Sequence, residues 1–330
     1  YMAPEIIDRH PPTPLVDVYS LGCTLYFALT GAPPFLARTV TELLNLLGAL
    51  VILALDSADV LEAQRNPLIP SWERHRELAA GSEFGLEWVP VGPVMNGARA
   101  ACVQGDPTRP GTLYAAFGPG GLWKTTDNGL TWNAVFENQA APGIGDVALA
   151  PSRPGTIWLG TGVDLKKPRN FTMPGTGVYR SDDGGATWRH LGLENSSHIG
   201  KIDVHPTDPD TAFVAVHGRY WTANPDRGLY RTHDGGATWE HVLYVDDRTG
   251  ANDVIIAPSD PSVVYATTWE NHPGVSGPSS GVWKSEDAGT TWRRLGGGLP
   301  SGPKTGRIGL AVSSADPAKA YVLVDNLNKS

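Results

Sequence analysis

Cysteine is almost missing from this chain: its 330 residues hold two, Cys23 and Cys102. They lie in regions of unlike character and at no metal-ligand spacing, which excludes a disulfide framework and a thiolate metal cluster. Positive charge is also thin. Lys and Arg total 26 against 34 Asp and Glu, a net charge of −8, and the basic residues form no block. A nucleic-acid or anionic-membrane partner is therefore not expected. No apolar run reaches the roughly 18 residues of a membrane span; the nearest, Leu43 to Leu55, has 13. What the chain has in quantity is Gly, 39, and Pro, 28, which suits a turn-rich β protein better than a helical enzyme. Its length allows two domains and a sizeable core. It begins at Tyr1 and stops in mid-pattern at Ser330, so a piece cut at both ends is expected.

One octapeptide occurs four times, as Thr125–Trp132, Ser181–Trp188, Thr232–Trp239 and Ser285–Trp292. Each reads [Ser/Thr]-x-Asp-x-Gly-x-Thr-Trp, with the Asp at 127, 183, 234 and 287 and steps of 56, 51 and 53 residues. A fixed period of this length marks a repeat architecture. Three short β-branched or aromatic runs precede each octapeptide in most units, with Pro-rich turns such as Pro206–Pro209 between the first two. A fourth segment starts at each Trp. Such runs between turn clusters read as strands, and four antiparallel strands per repeat at this period read as a propeller blade. The expected fold is mainly β: an incomplete β-propeller over residues 86–330, with four blades nearly complete and a fifth carrying two strands. Leu86-Glu87-Trp88-Val89-Pro90 resembles the fourth strands and is expected to act as a lone outer strand closing the last blade, with further blades needed to complete the ring.

The four octapeptides resemble Asp-box (BNR) repeats, and residues 86–330 are similar to sortilin-type, glycosyl-hydrolase-like propellers. That resemblance implies the fold firmly and an activity only loosely, since it spans sialidases, xyloglucanases and sorting receptors. Residues 1–48 have a different character. Tyr1-Met2-Ala3-Pro4-Glu5, Asp17 to Cys23 and Leu29 to Phe35 resemble, in order and spacing, the C-lobe of Ser/Thr protein kinases. The resemblance implies a short helical remnant in which Glu5 forms the ion pair of the Ala-Pro-Glu motif and Asp17 braces the catalytic loop. The Gly-rich loop, the phosphate-binding Lys, the His-Arg-Asp loop and the Asp-Phe-Gly motif are absent from the sequence, so these residues alone perform no phosphoryl transfer. Residues 49–85 read as a linker or apolar segment. Thr41 to Leu50 fits the next kinase helix, Leu43 to Leu55 equally fits the apolar part of a secretion signal preceding Ala58 or Ala63, a junction artefact is the third reading, and Pro67 to Gly85 reads as a polar linker.

The repeated Asp invites a catalytic reading, but its setting favours scaffold. An Asx side chain in a tight turn accepts backbone N–H groups, Gly129, Gly185, Gly236 and Gly289 supply backbone freedom, and Trp132, Trp188, Trp239 and Trp292 offer apolar area between blades. Asp127, Asp183, Asp234 and Asp287 are therefore expected to be structural. With the first strand innermost, the loops joining strands 2–3 and 4–1 share one rim and the Asp boxes lie on the other. Binding-type residues fall on the loop rim: Lys166, Lys167, Arg169, Asn170, His217, Arg219, Tyr220, Trp221, Trp269, Glu270 and His272, with Glu137, Asn138, Glu194, Asn195, His198, Asp246, Asp247 and Arg248 on the 4–1 loops. Aromatics among carboxylates suit carbohydrate. A glycosidase needs two carboxyl groups about 5–9.5 Å apart, and Glu270 with Asp246 or Asp247 is the pair to test. Arg169, Arg219 and Arg248 would serve a sialidase. His198, His217 and His272 lack metal-ligand spacing, so neither metal nor cofactor is expected.

Three functions follow: an extracytoplasmic or secreted propeller that binds polysaccharide or polypeptide on its loop rim; a glycoside hydrolase on the same scaffold; or the sensor region of a cytoplasmic Ser/Thr kinase.

Overall fold

The computed structural model describes residues 65–81, 99–163, 172–314, 316 and 319–326. The chain divides into two units, Tyr1–Arg65 and Asn66–Ser330, and all the described residues but Arg65 lie in the second. Glu5, Asp17, Leu43 to Leu55, Leu86 to Pro90, Lys166, Lys167, Arg169 and Asn170 fall outside the described residues.

Four antiparallel four-stranded sheets follow one another along the chain, each with its strands in sequence order. The first comprises β1 (Ala100–Gly105), β2 (Leu113–Phe117), β3 (Gly121–Thr125) and β4 (Asn133–Ala134). The second comprises β5 (Ile144–Leu149), β6 (Ile157–Thr161), β7 (Val178–Ser181) and β8 (Arg189–His190). The third runs β9 (Ile199–Val204), β10 (Ala212–Val216), β11 (Gly228–Thr232) and β12 (Glu240–Leu243). The fourth runs β13 (Thr249–Ile256), β14 (Val264–Glu270), β15 (Gly281–Ser285) and β16 (Arg293–Arg294). A fifth sheet pairs β17 (Thr305–Val312) with β18 (Ala320–Asn326). This is the expected blade series of an incomplete propeller. The first strands β1, β5, β9, β13 and β17 pack side by side in succession, so they are innermost.

The second strands β6 and β10, Ile157-Trp158-Leu159-Gly160-Thr161 and Ala212-Phe213-Val214-Ala215-Val216, are buried at every position. Each is covered on both faces by neighbouring blades, so the apolar run is continuous rather than alternating. Separate apolar clusters fill the spaces between successive blades. One joins Phe136, Ile144, Ile157 and Tyr179 with Trp188; another joins Trp158, Val178 and Ile202 with Trp239. Each such aliphatic side chain contributes about 1.5–3 kcal/mol on burial.

The Asp boxes form the β3–β4, β7–β8, β11–β12 and β15–β16 turns with one geometry. In the second, Asp183 Oδ1 accepts the Ser181 hydroxyl at 2.7 Å and the Thr187 N–H at 2.9 Å, while Oδ2 accepts the Thr187 hydroxyl at 2.6 Å. Gly185 sits at φ 93° and donates its N–H to Ser181 Oγ at 2.8 Å; a Cβ at that φ would be strained. Partial burial alone would raise the Asp183 pKa, but the Thr187 donors and the Ser181 hydroxyl hold it at about 2. Asp127, Asp234 and Asp287 are likewise held at about 2, first by the hydroxyls of Thr131, Thr238 and Thr291. The box Trp ties blade to blade: Trp188 Nε1 donates to Val135 O and Trp239 Nε1 to Leu191 O, both at 2.7 Å. Trp132 and Trp292 instead bond Gly129 O and Gly289 O of their own turns at 3.1 Å. A basic residue closing the third strand adds a second tie, from Lys124 Nζ to Gly184 O at 2.8 Å and from Arg231 Nη1 to Ala288 O at 2.7 Å.

Two elements depart from the sequence expectations. β1, Ala-Ala-Cys-Val-Gln-Gly, is a strand that its small and polar residues do not advertise; it pairs with β2 over Ala100–Gly105. The Pro67–Gly85 stretch, read as a linker, contains α1 (Leu68–Ala80). The one proline of the helix, Pro70, falls in the first turn, where no intrahelical N–H bond is lost, and the rest is rich in Glu, Arg, Leu and Ala, which favour helix.

Candidate functional site

The loop rim carries the 2–3 and 4–1 connections, but α1 occupies part of it. Asn66 Nδ2 donates to Gly175 O at 3.2 Å and Glu194 O at 2.9 Å, and Trp72 Nε1 donates to Asn138 O at 3.0 Å. Ile69 is fully buried. The carbonyls it meets belong to the 4–1 loops of the first two blades and the 2–3 loop of the second. The helix thus covers the sector where Asn138 and Glu194 were expected to bind ligand, and leaves the third and fourth blades as the open sector.

In that sector several expected ligand contacts are instead part of a packed base. His217, Tyr220 and Trp269 are 0%, 2% and 1% exposed. Tyr220 and Trp269 join Val163 in an apolar cluster, and the His217 ring meets Trp269 edge-on at 5.6 Å. Trp269 belongs to β14 and His217 directly follows β10, so these rings sit at the blade ends, where they gain more from burial than from facing water. The polar atoms of this base are chained. The Tyr220 hydroxyl lies 3.0 Å from His217 Nδ1, His217 Nε2 lies 3.2 Å from Asn252 Oδ1, and Asn252 Nδ2 donates to Ile308 O at 2.6 Å. Because the carbonyl only accepts, the Asn252 oxygen faces Nε2, which therefore carries the ring proton. His198 is also buried, with its Nε2 2.6 Å from Thr172 Oγ1 and its ring 4.3 Å from Tyr220.

Above this base stand the exposed groups: Arg219, Trp221 (60% exposed), Tyr244, Asp247 and Arg248. The loop bearing Trp221 is joined to the one bearing Asp247 through Asn224 N–H to Asp247 O at 2.9 Å. His272 is half-buried. The carboxylates singled out for acid–base chemistry converge on one serine. Glu270 Oε2 accepts the Ser279 N–H at 3.0 Å, and Asp246 Oδ2 accepts the Ser279 hydroxyl at 3.2 Å, with Asp246 Oδ1 taking the Arg248 N–H at 2.8 Å. Asp247 lies 4.0 Å from Arg248 Nε. Glu270 and Asp246 are thus brought together, while holding their own loops in shape.

Sequence reasoning overlooked Arg227, Asn252 and Asn271, all buried beneath this surface. No motif marks them, and burial of an arginine is not legible from loop composition. No group of three His, Cys, Asp or Glu side chains among the described residues is placed to hold a metal ion.

Two grooves lie elsewhere. One of about 770 Å³ on the Asp-box rim is lined by Arg153, Arg180, Asp182, Arg189 and Asp210 among others, whose charges pair with one another, as in Arg180 to Asp210 at 2.7 Å. Another of about 640 Å³, between the fourth and fifth blades, is lined by Val282, Leu295, Leu299, Ile308 and Val324 among others.

Comparison with known proteins agrees with this architecture. The family model described as "Sortilin, neurotensin receptor 3" matches residues 176–298, and the protein kinase domain model matches residues 1–74. A probable oligoxyloglucan-reducing end-specific xyloglucanase of Neosartorya fischeri is 29% identical over 192 residues, covering 56% of this chain and 21% of the fungal protein. Xyloglucanase Xgh74A of Acetivibrio thermocellus is 27% identical over 210 residues, covering 42% of this chain and 24% of that enzyme. The chain thus spans under a quarter of each xyloglucanase. Serine/threonine-protein kinase ULK3 of Mus musculus is 32% identical over 119 residues, covering 32% of this chain and 24% of the kinase. Among solved structures, an ancestral GH74 enzyme superposes with a TM-score of 0.52 at 22% identity, over 69% of this chain and 27% of that one. The repeat region is an Asp-box β-propeller similar to sortilin-type and glycosyl-hydrolase-like proteins, and the segment before it in the chain is similar to protein kinases.

Proposed function

We propose that this propeller binds polysaccharide of the xyloglucan class on the open sector of its loop rim, over the third and fourth blades. The observation that carries the reading is Trp221, a 60% exposed indole beside Arg219 on a loop whose base is fully packed. An exposed aromatic face with a charged residue on the same loop suits the apolar face and hydroxyl edge of a sugar ring. The xyloglucanase relatives supply the polymer class. An extracytoplasmic location for the propeller accompanies this reading, because its ligand would be a wall or matrix glycan.

A hydrolase on the same surface is the second reading, and the convergence of Glu270 and Asp246 on Ser279 favours it. Both carboxylates are engaged in bracing loops, so binding without turnover is placed first. Polypeptide recognition is the third outcome to test. In a binding assay with soluble xyloglucan, the chain is expected to bind and Trp221→Ala to lose about tenfold in affinity, roughly 1.4 kcal/mol. Release of reducing ends, abolished by Glu270→Gln or Asp246→Asn, would move the conclusion to hydrolysis. No binding by the unaltered chain would sink the glycan reading.

A further inference from the structure

Beneath the open sector lies a buried cation. Arg227 closes the 2–3 loop of the third blade and is 0% exposed. Its guanidinium donates to four acceptors. Nη1 bonds His217 O at 2.7 Å and also Asn271 Oδ1, and Nη2 bonds Thr222 O at 3.0 Å and also Arg219 O. Three of these are carbonyls spaced along its own loop; the fourth is a side chain of the neighbouring blade, next to Glu270. Among the described residues no carboxylate lies within ion-pair distance of it. Burying an arginine without a paired anion costs free energy unless its hydrogen bonds are well placed.

We propose that Arg227 is the positioning residue of the rim surface: it winds the 217–227 loop around one guanidinium, aims Arg219 and Trp221 at the ligand, and fixes them relative to Glu270 on the next blade. This rests on the polysaccharide reading given under Proposed function. The loop is built to this cation. Gly218 lies at φ 75°, and a Cβ there would fall 2.4 Å from Arg227 Cγ, so side chain and loop bend occupy a space that admits no larger residue. Asn224 completes the wrap, its Oδ1 accepting the Arg219 N–H at 3.2 Å and its own N–H reaching Asp247 O. Among the described residues the Nε proton has no partner, so the terminal fork alone makes the hydrogen bonds. Burial pulls the Arg227 pKa down to about 10, with Asp246 and Asp247 opposing that fall, so the side chain stays charged at neutral pH. Lysine offers one ammonium in place of a planar fork and cannot serve four divergent acceptors.

The test uses the full chain, with amide hydrogen exchange and soluble xyloglucan as separate readouts. Arg227→Ala and Arg227→Lys are both expected to speed exchange of the 218–226 amides at least tenfold. Binding is expected to fall at least tenfold in both, and millimolar guanidinium is expected to restore it in Arg227→Ala alone. Should Arg227→Ala fail to fold, Arg227→Lys and Asn271→Ala, which removes only the arm to the next blade, carry the same comparison. Unchanged exchange at 218–226, or full binding by Arg227→Lys, overturns the proposal. If the unaltered chain binds no xyloglucan, the ligand reading fails, and the exchange measurement still decides the role of Arg227.

Discussion

Asp203 of β9 reaches across a blade boundary to Ile256 of β13, its Oδ2 accepting the Ile256 N–H at 2.7 Å. The same tie joins Asp146 to Ile202 at 2.9 Å and Asp253 to Leu310 at 3.0 Å, so four successive innermost strands are locked by three carboxylates. Lys201 stands among them, 3.4 Å from Asp146, and the carboxylates hold its charge against the effect of burial.

These locks give stability a distinctive pH dependence. Burial raises the Asp203 pKa to about 7 and that of Asp253 to about 6, and it raises Asp146 as well; an unfolded Asp titrates near 3.9. Between those values the folded chain holds more protons than the unfolded one, so this contribution is fully present below about pH 4 and is lost as pH rises to about 7. The Asp boxes act in the opposite direction. Their carboxylates sit at about 2, and their contribution is lost as pH falls from about 4 toward 2. Denaturant midpoints measured from pH 3 to 8 are expected to peak near pH 4–5. Asp203→Asn with Asp253→Asn keeps a carbonyl acceptor and should flatten the decline toward pH 7; an undiminished slope in that double variant would show that other groups set it.

The Asp box should report on folding and not on ligand. Asp183→Ala leaves the Thr187 N–H, the Thr187 hydroxyl and the Ser181 hydroxyl without their shared acceptor. Water replaces part of that in an exposed turn, so a loss of about 1–2 kcal/mol in thermal or denaturant unfolding is expected. Glycan affinity should stay within twofold, since the box lies on the rim opposite Trp221. A binding defect without a stability defect would reverse the assignment of the two rims.

The period and the octapeptides made the blades legible, because each blade must repeat the turn that folds it: Asp, Gly, Thr and Trp recur where one hydrogen-bond pattern recurs. The β10 run Ala212–Val216 was legible for a related reason, since a strand covered on both faces can contain little but apolar residues. β1 was not, because the pairing of Ala100–Gly105 with β2 comes from its place in the sheet rather than from its side chains. The rim was only half legible. His217, Tyr220 and Trp269 share their residue types with ligand-binding surfaces, and composition does not say which aromatic turns inward. Trp221 and Trp269 differ in exposure, 60% against 1%, because Trp269 lies within β14 and pairs with β13, while Trp221 stands on the loop between β10 and β11.

That difference makes the last prediction. Trp269 donates its indole N–H to Val275 O at 2.9 Å and packs on Val163 and Tyr220, with His217 edge-on to its ring. Trp269→Ala opens a void under the rim and strands the Val275 carbonyl, so a loss of about 3–5 kcal/mol in unfolding free energy is expected. Any fall in glycan affinity should then follow the fraction of folded protein and disappear when stability is restored by temperature or by a stabilising background. Trp221→Ala removes an exposed side chain, so its unfolding midpoint should stay within about 0.5 kcal/mol of the parent while its glycan affinity drops. Equal destabilisation by both substitutions would mean that Trp221 packs against the rim in solution, and would take its indole face from the proposed surface.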